Sequence, residues 1–144
     1  MSMPALSLES GLDKRSLLAA LRAFRRGDFS VRLPLDLEGV DGELAEAFND
    51  VVEMNDRMSR EFGRLAETVG RQGRITARAR LPGAAGAWSD SVEEVNDLIA
   101  DMMHPTAEMA RVIGAVAKGD LTQTMEVDDE ERPLRGEFLR IGRV

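Results

Sequence analysis

Residues 44–69 read LAEAFNDVVEMNDRMSREFGRLAETV, and their spacing decides the fold. Core-type positions fall at Leu44, Phe48, Val51, Asn55, Met58, Phe62, Leu65 and Val69, alternately four and three residues apart. That is the seam of a coiled-coil helix, held for more than three heptads. A second stretch, 88–116, repeats the alternation at Trp88, Val92, Val95, Ile99, Met102, Thr106, Met109, Ile113 and Val116. A helix from Glu43 to Arg71 would be about 43 Å long at 1.5 Å per residue. No short neighbour in the same chain can cover such a ridge. Each buried aliphatic side chain contributes roughly 1.5–3 kcal/mol, so a second copy of the ridge, matched in length and register, is the expected cover. Asn55 at an a position either favours a parallel, in-register pair or stands partly exposed at a loosened seam.

Outward from these helices the chain repeats. Gly27, Gly73 and Gly119 lie 46 residues apart, and each closes a helical segment. Two residues after each glycine stand Phe29, Ile75 and Leu121; six after, Leu33, Ala79 and Met125; eight after, Leu35, Leu81 and Val127. Four after stand Val31, Ala77 and then Gln123, where the third copy breaks the pattern. A second glycine restarts the helix at Gly42, Gly86 and Gly136, and in the first two copies an apolar–Asn pair follows, Phe48-Asn49 and Val95-Asn96. Period-two alternation is also the mark of a half-buried strand. Pro34, Pro82 and the glycines at 39, 42, 83 and 86 interrupt it, which favours extended connectors lying along helices.

A connector of about 15 residues reaches roughly 50 Å, enough to return from the foot of one helix to its head. The short first helix, with Leu17, Leu18, Leu21 and Phe24, therefore runs parallel to the long one. The expected fold is all-α: consecutive parallel four-helix-bundle units built by a homodimer, with long helices shared between units and extended connectors. The expected core is Leu17, Leu21 and Phe24 with the seam residues above. Phe29, Val31, Leu35, Ile75, Leu81, Leu121 and Val127 pack from the connectors, and the glycines at 27, 42, 73, 86, 119 and 136 with Pro105 act as turns or hinges. The units are expected at 13–58, 59–103 and 104–144, after a poorly ordered segment 1–12.

Composition narrows the function. Of 144 residues 43% are hydrophobic but only 4% aromatic, which suits helix packing better than a compact enzyme core. There is no Cys and one His, His104, so thiolate and His-cluster metal sites fall away, as does a His-based catalytic triad. No catalytic residues, cofactor or metal are expected. A net charge of −7 with dispersed basic residues disfavours nucleic acid and anionic bilayers. No apolar run approaches the roughly 20 residues of a membrane helix, so no membrane insertion is expected in this segment, and a cytoplasmic setting is. His104 sits at a solvent-facing heptad position, followed by Pro105 rather than an acid.

The stretches Arg26-Gly27-Asp28-Phe29-Ser30-Val31-Arg32-Leu33 and Gly42-Glu43-Leu44-Ala45-Glu46-Ala47-Phe48-Asn49 resemble the HAMP domain. Gly86-Ala87-Trp88-Ser89-Asp90 with Val95-Asn96 resembles the divergent form found in tandem arrays of hybrid histidine kinases. Ala115 to Leu121 followed by Gly136-Glu137-Phe138-Leu139 resembles the unit after it. The resemblance covers about 13–144. One departure is that the acid usual two residues before the second glycine is replaced by Val40, Ala84 and Leu134. The resemblance implies a two-component signal-transduction relay, a parallel homodimer covalently linked to a kinase or other output domain. A passive coiled-coil scaffold is the alternative, and it has no need of glycine-bounded connectors. The two seams are offset by 44 residues and the glycine stops by 46, a two-residue mismatch of about 200° around a helix. Some local twist must absorb it.

Overall fold

The computed structural model describes residues 11–125, together with 136, 140 and 141. Its elements are α1 (Lys14–Arg25), α2 (Gly39–Leu65) continuing into a π-helical segment (Ala66–Arg71), and α3 (Ala87–Ala117). All regular structure among the described residues is helical, with no strand. The chain divides into two compact units, Met1–Gly63 and Arg64–Val144, so a boundary falls within α2.

In the first unit, Asp13 caps α1 by accepting from the Arg15 N–H, satisfying one of the donors that a helix start leaves open. Just before it, the Leu12 N–H donates to the Asp41 carboxylate, 2.9 Å away in the first turn of α2. At the other end of α1, the Phe24 ring packs edge-on against Phe48 of α2, with centroids 6.3 Å apart. Head meets head, and the foot of α1 meets the next turns of α2, so the two helices run in the same direction. The connector lies along them: Ala20, Leu33 and Ala45 form a buried cluster with Leu12, Leu17, Val31, Leu37 and Phe48 packed on it.

Both α1 and α3 end in the same way. The Gly27 N–H donates to the Phe24 carbonyl and the Asp28 N–H to that of Ala23; the Gly119 N–H donates to Val116 and the Asp120 N–H to Ala115. Gly27 and Gly119 adopt φ of 82° and 87°. This paired bonding across a left-handed glycine closes the orphan carbonyls of a helix end. At Gly73 (φ 66°) the closure is one residue wider: the Arg74 N–H reaches back to Thr68, and the Gln72 N–H to Glu67.

The helix starts differ from the expectation. α2 opens at Gly39, φ 61°, and Gly42 lies inside its first turn rather than at a turn. A Cβ at Gly42 would stand 2.4 Å from the Leu37 carbonyl oxygen, so the glycine admits a close backbone approach. The counterpart of Gly86 (φ 56°, the residue capping α3) is therefore Gly39. Pro105 is buried within α3, and the helix runs on through it. One turn of carbonyls loses a donor there, and the Thr106 hydroxyl donates to the Met102 carbonyl beside it at 3.0 Å. His104 is half-buried, not solvent-facing.

Candidate functional site: the clasped connectors

The side chain of Asn49, on α2, grips the connector at one residue. Its Oδ1 accepts from the Leu33 N–H at 2.7 Å and its Nδ2 donates to the Leu33 carbonyl at 2.9 Å. Asn96, on α3, repeats the grip on Ala79, at 2.7 and 3.0 Å. A primary amide carries one acceptor and donors in a fixed plane, so it replaces both partners that a neighbouring strand would have supplied. An extended connector can thus be buried without a sheet. Leu33 and Ala79, 4% and 3% exposed, are the most enclosed connector residues described.

Arginines complete the attachment. Arg32 donates through Nη1 to the carbonyls of Phe29 and Val31, and through Nη2 to Glu53 of α2 at 2.6 Å. Arg78 makes the same pair of bonds to Ile75 and Ala77. From the helix side, Arg64 donates to the Arg78 carbonyl at 2.9 Å and Arg111 to the Thr124 carbonyl at 2.8 Å, the same connector position in successive copies. After the stops, Asp28 accepts from the Ser30 N–H and hydroxyl, and Asp120 from those of Thr122. The hydroxyl bonds first, then the N–H bonds, hold both carboxyls below their ordinary value of 3.8. Arg74 occupies that place in the second copy, so its turn lacks this carboxylate.

The expected core residues divide into covered and open sets. Leu17, Phe24, Phe48, Met58, Phe62 and Val69 are half-buried and Leu65 is buried, as are the unforeseen Ala20, Ala23, Ala45 and Val52. Leu21, Leu44 and Val51 lie open, with Leu18 beside them in the sequence pattern. Trp88, Val92, Val95, Ile99 and Met109 are half-buried, whereas Met102, Ile113 and Val116 are open. Asn55 is half-buried, and its amide donates to the Val51 carbonyl of its own helix. Among connector residues, Phe29, Val31 and Leu81 are half-buried, but Leu35, Ile75 and Leu121 are exposed, at 71%, 36% and 79%. The sixth position after the glycine, held by the asparagine clasp, is the most enclosed in both copies, while the second and eighth are half-buried at Phe29 and Leu81. Val127 lies outside the described residues; Gly136 has φ 57°.

Val40, which stands where an acid is usual in the pattern, is 68% exposed, and the neighbouring Asp41 accepts from the Leu12 N–H just before α1. The sequence carried signals for the clasp in its two apolar–Asn pairs. It carried none for the partners, because the clasped atoms are backbone. No group of three His, Asp or Glu side chains placed to hold a metal occurs among the described residues. No helix among them is long and apolar enough to cross a membrane.

Residues 84–142 match the family model of the HAMP domain, a span holding α3, Gly119 and Gly136. The chain is also similar to the methyl-accepting chemotaxis protein McpB of Pseudomonas aeruginosa, 26% identical over 123 residues. The alignment covers 80% of this chain but only 18% of that protein. No solved structure matches the chain. A HAMP domain is thus present, and a signal-transduction role in general is supported.

Proposed function

We propose that the chain relays conformational change within a cytoplasmic, parallel homodimer of tandem HAMP units, passing it from a sensory input to a covalently linked histidine kinase. The observation that carries this reading is an incomplete core. In the first unit Leu18, Leu21, Leu44 and Val51 remain 39–49% exposed while the connector is fully attached. Covering half of each such side chain contributes about 1 kcal/mol, or about 8 kcal/mol for the eight residues of two chains. That is comparable with the whole stability of a small domain. Two chains would make four helices, with each connector held to its own α2 or α3.

The clasps favour a relay over a passive scaffold. They bind connector to helix through single side chains, so a helix that turns carries its connector along. Similarity to a methyl-accepting chemotaxis protein supports a second reading, in which the same relay feeds a receptor signalling domain and not a kinase. Cysteine reporters test the relay, since the chain has no native Cys. With Leu98→Cys in α3, oxidative cross-linking between chains should change in rate when Asn49→Ala loosens the first connector. An unchanged rate, with dimer and helix content intact, would remove the relay and leave the scaffold.

A further inference from the structure

Three structural correspondences relate α2 to α3: the opening glycines Gly39 and Gly86, the clasping Asn49 and Asn96, and the latching Arg64 and Arg111. Each pair is 47 residues apart. The stops that follow, Gly73 and Gly119, are 46 apart. The 44-residue seam offset is therefore not the structural one, and the mismatch is one residue rather than two. That residue lies between Arg64 and Gly73. The π segment Ala66–Arg71 sits in this interval, and the widened closure onto Thr68 ends it. A π turn holds one residue more than the α ladder around it. Where the ladder changes register, the Thr68 hydroxyl donates to the Arg64 carbonyl at 2.8 Å.

We propose that the π segment is a register switch: a stored extra residue that lets α2 meet the second connector in either of two phases. In the state described, the π turn keeps Arg64 on the Arg78 carbonyl and Leu65 buried, at 4% exposure. If the segment relaxes to regular α-helix, the same nine-residue interval turns the helix about 100° at Arg64. The latch is then broken and Leu65 swings outward. α3 has no such freedom. Eight residues of regular helix bring Arg111 onto its own connector, with nothing left over. The switch belongs to the single chain and stands whether or not two chains pair. Its two states are separated by a latch hydrogen bond, one apolar side chain and the strain of a π turn, which are small opposing quantities.

The test places a single thiol at Leu65→Cys in the full chain and follows its alkylation under native conditions. Deleting Gly70 removes the surplus residue, leaves Arg64 eight residues from Gly73 as in α3, and should slow alkylation several-fold. Arg64→Gln, which removes the latch, should speed it several-fold. A companion thermal melt without the cysteine guards against misfolding: deletion of Gly70 should hold or raise Tm, and deletion of Gly114 in α3 should lower it. Equal losses from the two deletions, or alkylation rates indifferent to both changes at position 64 and 70, overturn the proposal.

Discussion

Replacing Asn49 by Ala tests the clasp directly. The substitution removes two hydrogen bonds, at 2.7 and 2.9 Å, from a connector residue that is 4% exposed. Each bond contributes about 0.5–1.5 kcal/mol net, and a dry backbone group left without a partner moves the loss toward the upper figure. About 2 kcal/mol is therefore expected, which for a domain of 60–100 residues lowers Tm by roughly 8–16 °C. Asn49→Asp separates geometry from bulk. An ionised carboxylate keeps the Leu33 N–H but faces the Leu33 carbonyl with a second acceptor, so the folded state raises its pKa. The variant should then be more stable below the usual carboxylate range and lose that stability as pH rises through its folded pKa. Urea denaturation across pH 3–7 (on the order of the carboxylate range) reads both effects. An alanine variant within 0.5 kcal/mol (about the noise of such comparisons) of the parent, with an aspartate variant indifferent to pH, would refute the clasp.

Two glycines of α2 should respond oppositely to alanine. Gly42→Ala forces a Cβ to 2.4 Å from the Leu37 carbonyl and should cost about 1–3 kcal/mol, whereas Gly63→Ala meets nothing within 4 Å and should gain about 0.5–1 kcal/mol. Thermal melts of the pair check the contrast. Asp28 and Asp120 have depressed pKa values, so their contribution is present above the ordinary 3.8 and is lost as pH falls through the lower folded value. Carboxyl NMR titration should find both below the exposed Asp residues, and Ser30→Ala should return Asp28 toward the ordinary value. Gly27→Ala places a side chain at φ 82° and should cost about 1–2 kcal/mol by chemical denaturation.

Much of this plan is legible in the sequence because it is written in side chains with a period. The heptads from Leu44 and Trp88 mark an all-helical chain, and the 46-residue glycine spacing marks the places where the backbone turns left-handed. The clasp was half legible: Asn49 and Asn96 stand in a repeated pair, but backbone atoms of Leu33 and Ala79 leave no residue signature. The equivalence of Gly39 with Gly86 was hidden by Gly42, which matches a familiar pattern yet serves a close approach to Leu37. The paired Asn49 and Asn96 lie 47 residues apart and the stops Gly73 and Gly119 lie 46 apart, a one-residue difference that the glycine spacing alone conceals. The open face of Leu44 and Val51 lies beyond such counting. Seam residues and their flanking neighbours Ala45 and Val52 share one hydrophobic ridge, and only the path of α1 and the connector decides which side is covered.

In the proposed homodimer the open side of this ridge meets the same side of a second chain. Val51 and Val52 are adjacent, 39% exposed and fully buried respectively, and no native thiol interferes. Single-cysteine variants at the two positions, oxidised at micromolar concentration and resolved without reductant, compare the faces within one helical turn. Val51→Cys should give a disulfide-linked dimer and Val52→Cys unlinked chains. Unlinked chains from both, or linkage through Val52→Cys alone, would contradict that pairing.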